Sequence, residues 1–274
     1  MNQNIKGKFP KWCNELSPNK YCLAVGDDID SLMTAALLQR LFGLEIIYYY
    51  DFKNFYRTKE TNKIPIGCDM AWERGYCFDN HVVQLNQDDK YNVNSANMNI
   101  ANNISRDNYF EKYALSTLLT VWSYFDFPLP TRRVAQEILL SVDVAFKGHY
   151  NDNFKQTNNK YLHMLEFQDL ISVLNEHDAN YFYDIILKYG LEKKILLNQN
   201  GFLDTQINLA TLQGFFDLDL KLPNEQFHLY KQYEYNRCAL ENKKYYKSDN
   251  KSKIISLALT RKNYVNYTYC QKVN

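Results

Sequence analysis

The feature that most constrains the fold is a strand–helix–strand pattern over residues 21–52. The apolar run YCLAV (21–25) predicts a buried strand. SLMTAALLQRLFG (31–43) predicts a helix, because its apolar residues recur three and four positions apart and it ends at a glycine. LEIIYYYDF (44–52) predicts a second strand. Strands joined in this way by a helix lie parallel, so the sequence predicts an α/β fold with a parallel sheet.

Aspartates stand at the ends of the predicted strands. Asp27, Asp28 and Asp30 follow the first strand, and IPIGCD (64–69) and GYCFDNHVV (75–83) predict two more short strands that each reach an aspartate. The carboxyl ends of parallel strands form the ligand-binding edge of an α/β sheet, so we expect these acids to lie close together. Because like charges repel, their crowding indicates a cation site, a phosphate-transfer role or a solvated loop.

The rest of the chain divides into two predicted parts. Residues 1–150 complete the α/β domain, with an Asn-rich loop over 86–108 and helices over 109–125 and 131–146. A polar stretch (147–160) leads into a mainly helical, basic C-terminal region, residues 151–274. Its predicted elements are helices over 162–175, 179–190, 206–217 and 224–246, and a terminal β-hairpin formed by KIISLALT and NYVNYTYC.

Composition narrows the class of protein. The chain has 274 residues, of which 46% are hydrophobic, enough for an ordinary buried core. We expect a soluble, cytoplasmic protein with no membrane partner, because no apolar run approaches the roughly 20 residues of a membrane helix and the N-terminus lacks a signal-peptide centre. The 6 cysteines are scattered without CxxC pairs, so neither a disulfide framework nor a zinc site is expected.

Four short motifs occur in a fixed order between residues 20 and 147. They are DDID followed by SLMT, then GCD, FDNHV and LLSVDVAF, and they supply Asp28, Asp30, Ser31, Asp69, Asp79, Asn80, His81 and Asp143. This order resembles the DHH phosphoesterase superfamily, which includes RecJ-like exonucleases and nanoRNases. The third motif of that family is Asp-His-His, and here it reads Asp79-Asn80-His81. Asn94, Asn97 and Asn99 loosely resemble an Asn-Pro-Asn element that follows the third motif in RecJ-like members, without the proline.

The resemblance implies a metal-dependent phosphodiesterase that hydrolyses single-stranded nucleic acid or short oligonucleotides. Two Mn²⁺ or Mg²⁺ ions about 3.5–4 Å apart need several carboxylates to hold a hydroxide and the scissile phosphate. By analogy the metal ligands are Asp28, Asp30, Asp69, Asn80, His81 and Asp143, with Asp69 bridging the two ions. Asp79 and His81 would act in catalysis, and Ser31 and His149 would contact substrate.

The chain departs from the family pattern at two places. Asn80 replaces a histidine, and an amide oxygen binds divalent cations more weakly than imidazole does. No glycine follows Gly214, so the family's glycine-rich substrate motif is missing from the end of the chain. We therefore expect the basic, tyrosine-rich C-terminal region to contact nucleic acid, with Tyr233 and Arg237 on one face of a helix.

Two alternatives remain open at this stage. A degenerate family member would bind a nucleotide or nucleic acid without cutting it, as Asn80 and the missing glycine motif suggest. A haloacid-dehalogenase-type phosphatase would use Asp28 as nucleophile and Asp30 as acid or base. The second alternative leaves FDNHV without a role.

Overall fold

The computed structural model describes residues 1–240 and 254–270. The strands are β1 (Tyr21–Val25), β2 (Ile46–Tyr50), β3 (Asn54–Arg57), β4 (Ile64–Cys68), β5 (Tyr76–Asp79), β6 (Ser95–Asn97), β7 (Ile195–Leu197), β8 (Leu203–Thr205), β9 (His228–Gln232), β10 (Glu234–Ala239), β11 (Ile254–Arg261) and β12 (Tyr264–Tyr269). The helices are α1 (Gln3–Lys6), α2 (Ile29–Phe42), α3 (Met98–Ala101), α4 (Thr117–Tyr124), α5 (Arg133–Ser141), α6 (Lys155–Met164), α7 (Asp169–Asn175), α8 (Ala179–Tyr189) and α9 (Leu209–Gln213).

A seven-stranded sheet forms the centre of the fold, in the order β6-β5-β4-β1-β2-β3-β9. The strands β6, β5, β4, β1 and β2 run parallel, whereas β3 and β9 are antiparallel to their neighbours. The predicted α/β class with a parallel sheet is confirmed. The strand order reverses direction between β1 and β4, and such a switch point is where open α/β sheets bind ligands.

Helix α2 covers one face of the sheet. Asp28 begins it, because the Asp28 carboxylate accepts a hydrogen bond from the Ser31 N–H (3.1 Å), and Gly43 ends it in the left-handed conformation at φ 65°. Its residues from Ile29 to Leu38 are all buried, since the helix lies between the sheet and α4. The acidic loop after β1 is thereby held directly above the sheet edge.

A smaller antiparallel sheet, β10-β12-β11, lies against the loops at the carboxyl edge. The backbone N–H of Leu257 donates to Ala71 O (2.9 Å), and that of Leu259 donates to Val82 O (2.8 Å). Strand β11 therefore runs along the loops that follow β4 and β5. The predicted terminal hairpin is confirmed as β11 and β12, and it borders the site.

Several predicted elements differ from the structure. The predicted helix over 224–246 is wrong in its described part, where β9 and β10 lie, and residues 241–246 fall outside the described residues. Tyrosines favour strands, and pairing of β9 with β3 satisfies backbone groups that would otherwise stay open on that edge. The C-terminal region thus contains the helices α6–α9, with the β7–β8 hairpin between α8 and α9, and then forms the strands β9–β12.

Three boundaries in the N-terminal part also change. The predicted loop over 86–108 contains β6 and α3, because Ser95–Asn97 pairs with β5 and the Asn97 side chain caps α3. The predicted helix over 109–125 begins only at Thr117. The predicted helix over 131–146 ends at Ser141 and continues as a 3-10 turn through Val144. In the part of the chain that the structure describes, no helix has the length and apolar character to cross a bilayer.

One buried hydrogen bond joins the two sheets and offers a test of their docking. Tyr50 OH and Ser256 Oγ lie 3.0 Å apart in the interior. We expect Tyr50→Phe to lower the free energy of unfolding by about 1–3 kcal/mol, because Ser256 loses a buried partner. Urea denaturation measures this, and Tyr91→Phe, at a tyrosine that is 44% exposed, should change little. An equal effect of both changes would contradict the docking.

Candidate functional site

Three of the predicted site residues form a compact group at the switch point. Asp69 follows β4, while Asp79 ends β5 and His81 lies two residues beyond it. Each offers one ligand atom, and these atoms lie within 4.8 Å of one another. Two carboxylates and an imidazole at this spacing could hold a metal ion.

Asp79 orients His81. The Asp79 side chain is fully buried, and its Oδ1 accepts a hydrogen bond from His81 Nδ1 at 2.7 Å. Its Oδ2 accepts from Asn97 Nδ2 at 2.8 Å, and the same amide donates to the His81 carbonyl. This arrangement fixes the ring and leaves Nε2 for an ion or a phosphate oxygen.

Asp30 is tied to the first turn of α4. Its carboxylate is almost fully buried and accepts the backbone N–H groups of Thr117 and Leu118, both at 2.8 Å. The Thr117 hydroxyl donates to Asp69 Oδ1 at 2.6 Å. The first turn of α4 therefore holds Asp30 and Asp69 side by side, and the Leu118 N–H partly offsets the rise that burial causes in the pKa of Asp30. Both oxygens of Asp30 are used by the backbone, so its position is set by the fold.

Asp28 lies on the other side of the group, next to a lysine that the sequence analysis did not predict. Lys194 Nζ is 2.8 Å from Asp27 Oδ1 and 3.6 Å from Asp28 Oδ2. The backbone N–H of Ile195 also donates to the Asp27 carbonyl, which places the β7–β8 hairpin beside the acidic loop. Nothing in the sequence around Lys194 marks it, because its partners are 166 and 167 positions away.

Asn80 and Asp143 are brought together as a pair. Asn80 Nδ2 donates to Asp143 Oδ2 (2.8 Å) and to Leu115 O (3.0 Å). The Asn80 amide nitrogen thus faces Asp143, and a nitrogen that donates two hydrogen bonds is not a metal ligand. In this arrangement Asn80 positions Asp143, and its predicted role as a ligand stays a prediction that rests on its oxygen.

The backbone is left-handed at two of the predicted site aspartates. Asp69 has φ 56°, and Asp143 has φ 50°. Val144 follows with φ 50°, which is rare for a β-branched residue. Such conformations persist where the surrounding structure holds them, and they concentrate at functional sites.

A nearby positive charge would stabilise the ionised carboxylates of this site, because burial and mutual repulsion disfavour them. Burial raises the pKa of Asp30 and of Asp69 well above the ordinary range, and neighbouring carboxylates raise both further. The pKa of Asp143 is also raised, because neighbouring atoms desolvate its carboxyl group and Asp28 repels its charge, although the residue is exposed where it lines the cavity. Burial lowers the pKa of His81, but the adjacent Asp79 outweighs it and brings the pKa to about 10.

A cavity of about 830 Å³ opens beside this group. Asn80, His81 and Asp143 line it together with the cationic side chains of Lys112, Lys147 and Arg261. The turn of the β11–β12 hairpin and the segment before α6 complete its walls. None of the cationic side chains was predicted, since only the fold brings residues 112, 147 and 261 to one space.

The predicted substrate residues lie in four different places. Ser31 is buried, where its hydroxyl accepts from Gly26 N–H and donates to Cys68 O, both at 2.6 Å, and so links the ends of β1 and β4. His149 is 2% exposed with Nδ1 2.9 Å from Asn159 Oδ1, and it is not part of the cavity lining. The structure does not bring His149 to the group of Asp69, Asp79 and His81.

Tyr233 and Arg237 do not share a helix face, because they belong to the β9–β10 region. Tyr233 packs against the apolar cluster that contains Met70 and Trp72. The Arg237 guanidinium lies over the ring of Tyr264, 5.6 Å from its centroid, and Tyr264 lines the cavity. Arg237 is therefore one residue removed from the cavity wall.

Metal binding is the first testable consequence of the group. We expect saturating Mn²⁺ to stabilise the protein by about 2.7 kcal/mol at a free concentration about 100 times the Kd, which raises Tm by several degrees. Asp69→Asn should abolish the rise, whereas Asp184→Asn, on the exposed side of α8, should keep it. Equal shifts in the two variants would place the ion elsewhere.

The metal-free protein should also show a pH-dependent cost of burying Asp69. When the pKa of an acid is higher in the folded than in the unfolded state, the free energy of unfolding falls as the pH rises through the folded-state pKa. The contribution of that acid to stability is fully present only below its unfolded-state pKa. We expect Asp69→Asn to be more stable than wild type near about pH 8, with the difference shrinking toward about pH 5. Denaturation in EDTA measures it, and a difference that grows on acidification would contradict the assignment.

Comparison of the chain with protein-family models, with curated proteins and with solved structures found no match in any of the three. The resemblance to DHH phosphoesterases thus stays a prediction from the sequence motifs. The functional conclusion depends on the geometry of the site.

Proposed function

We propose that the protein is a metal-dependent phosphodiesterase of the DHH type, acting on single-stranded nucleic acid or short oligonucleotides. One observation carries the proposal: Asp69, Asp79 and His81 meet at the switch point of a parallel sheet, and His81 lines a cavity that is also lined by cations. The acidic ligands of this group would hold divalent cations. The lysine and arginine side chains of the cavity suit the phosphates of a nucleotide chain.

The donor set fits manganese best. Carboxylates suit Mg²⁺ and Mn²⁺ alike, but an imidazole ligand favours Mn²⁺ over Mg²⁺. Asp69, Asp79 and His81 would hold one ion. A second ion would draw on Asp28 and Asp143, the other carboxylates that act electrostatically on Asp69. When bound, such ions polarise a phosphate oxygen and lower the pKa of a bound water.

The side chains of the protein would perform the remaining tasks. Asp79 and Asn97 hold the His81 ring, and Thr117 holds one oxygen of Asp69, so both groups are oriented before substrate arrives. Asn80 fixes Asp143 at the border of the cavity. Lys112 lies close enough to Asp143 to act on its charge, and it would supply a positive group beside a bound phosphate.

One alternative has a specific observation in its favour. Asn80 presents its amide nitrogen to Asp143, and Lys194 already neutralises Asp27 and Asp28. A protein that binds a nucleotide without metal would use this arrangement. Binding that is unchanged by EDTA, together with no turnover in Mn²⁺, would favour it. The phosphatase alternative has less support, because both Asp30 oxygens accept backbone hydrogen bonds.

Hydrolysis of a labelled single-stranded oligonucleotide in Mn²⁺ tests the proposal. We expect wild type to cleave it, and Asp69→Ala to lose at least about 100-fold in kcat/KM, because the group loses a ligand. Asp184→Ala is the matched control and should retain activity. Absence of cleavage by wild type with Mn²⁺ and Mg²⁺, or full activity of Asp69→Ala, would overturn the proposal.

A further inference from the structure

The cavity beside the group of Asp69, Asp79 and His81 carries cations that form no ion pair with a carboxylate among the described residues. Lys112, Lys147 and Arg261 all line it, and within residues 1–240 and 254–270 none of them forms an ion pair. They come from three separate parts of the chain, before α4, after α5 and at the end of β11. Three unpaired cations around one concave space indicate an anionic ligand with more than one charged group.

The same cavity presents an exposed aromatic ring. Phe110 is 57% exposed, and it stacks on Phe154 with ring centroids 6.0 Å apart and planes at 27°. Lys262 Nζ lies over the Phe110 ring, 4.8 Å from its centroid. An exposed ring next to a cation suits a flat aromatic group that carries a phosphate, which is the chemistry of a nucleotide.

A buried hydrogen-bond donor also lacks a partner at this wall. Asn158 is 5% exposed and lines the cavity, and its Nδ2 has no acceptor among the residues that the structure describes. Buried amide groups are almost always paired, and a small shift of this side chain toward a ligand in the cavity would supply the missing acceptor. Base carbonyls and phosphate oxygens both serve this purpose.

We propose that this cavity is the nucleotide subsite of the chain and that it takes a dinucleotide or the last two nucleotides of a single strand. The inference rests on the proposed function, since the subsite adjoins the ion-binding group. A base stacks on Phe110, the phosphates lie against Lys112, Lys147 and Arg261, and Asn158 donates to the ligand. The volume of about 830 Å³ is within the range of about 300–1,000 Å³ typical of small-molecule sites.

The β11–β12 hairpin has a specific role in this subsite. It supplies Arg261, Lys262 and Tyr264, and it is held against the loops after β4 and β5 by backbone hydrogen bonds. The chain has no glycine after Gly214, so a glycine-rich loop cannot cradle the phosphates there. Side chains on a docked hairpin supply the positive charge instead.

Binding measured without metal separates this inference from the proposed function. The probes are dithymidylate and a longer oligothymidylate, each labelled with a fluorophore, in excess EDTA so that no cleavage occurs. We expect both to bind with Kd values within about threefold of each other, because the cavity contacts only two nucleotides. A duplex of the same length should not compete, since its bases are already stacked. Failure of dithymidylate to bind would overturn the inference.

Variants identify the contacts. Phe110→Ala should weaken binding about tenfold, and Phe202→Ala, at a ring that is 38% exposed on the β7–β8 hairpin, should not. Arg261→Ala should lower the slope of log Kd against log salt by about 0.7, and Lys221→Ala should leave it unchanged. Asn158→Leu should weaken binding while keeping the unfolding midpoint near that of wild type. Unchanged binding in Phe110→Ala and Arg261→Ala would overturn the inference.

The two proposals can fail separately. Binding in EDTA that depends on Phe110 and Arg261, with no hydrolysis in Mn²⁺, would support the subsite and exclude the phosphodiesterase. Hydrolysis in Mn²⁺ with KM unchanged in Phe110→Ala would support the phosphodiesterase and exclude the subsite.

Discussion

Repulsion among carboxylates at one edge of the sheet is the constraint on which the rest of the site depends. The parallel strands β1, β4 and β5 end side by side, so the acids that follow them cannot avoid one another. Each acid is held by a different partner: Asp30 by the first turn of α4, Asp69 by Thr117, Asp79 by His81 and Asn97, and Asp143 by Asn80. These bonds fix the geometry without removing the excess of negative charge, which is why a cation fits there.

The C-terminal region supplies part of the cavity wall and one lysine beside the acidic group of the α/β part. Strand β11 is bonded to the loops that carry Asp69 and His81, so backbone hydrogen bonds join the cavity wall to the acidic group. Lys194 reaches the acidic loop from the opposite side and is paired there, whereas Lys112, Lys147 and Arg261 remain without carboxylate partners among the described residues. Lys194 thus neutralises negative charge at the acidic loop. The positive charges at the cavity would be neutralised by an anionic ligand.

Sequence reasoning could predict what depends on local pattern. Three local patterns are enough to predict Asp28, Asp30, Asp69 and Asp79 at one edge of the sheet. They are the apolar run of β1, the helical spacing of α2 and the aspartates at strand ends. Elements whose conformation depends on distant partners were not predictable from local pattern. The tyrosine-rich segment around β9 was predicted as a helix, but it forms a strand because it pairs with the edge strand β3. Lys194 and the cavity cations were missed for the same reason, because nothing near them in sequence marks their positions.

The central claim is that Asp69, Asp79 and His81 hold a divalent ion. A crystal structure with Mn²⁺, with the ion located by its anomalous scattering, tests this most directly. We predict a peak bonded to a ring nitrogen of His81 and to carboxylate oxygens of Asp69 and Asp79, at distances of about 2.0–2.3 Å. A crystal saturated with Mn²⁺ that shows no peak at these side chains, with the hydrogen bonds of Asp79 and Thr117 unchanged, would contradict it.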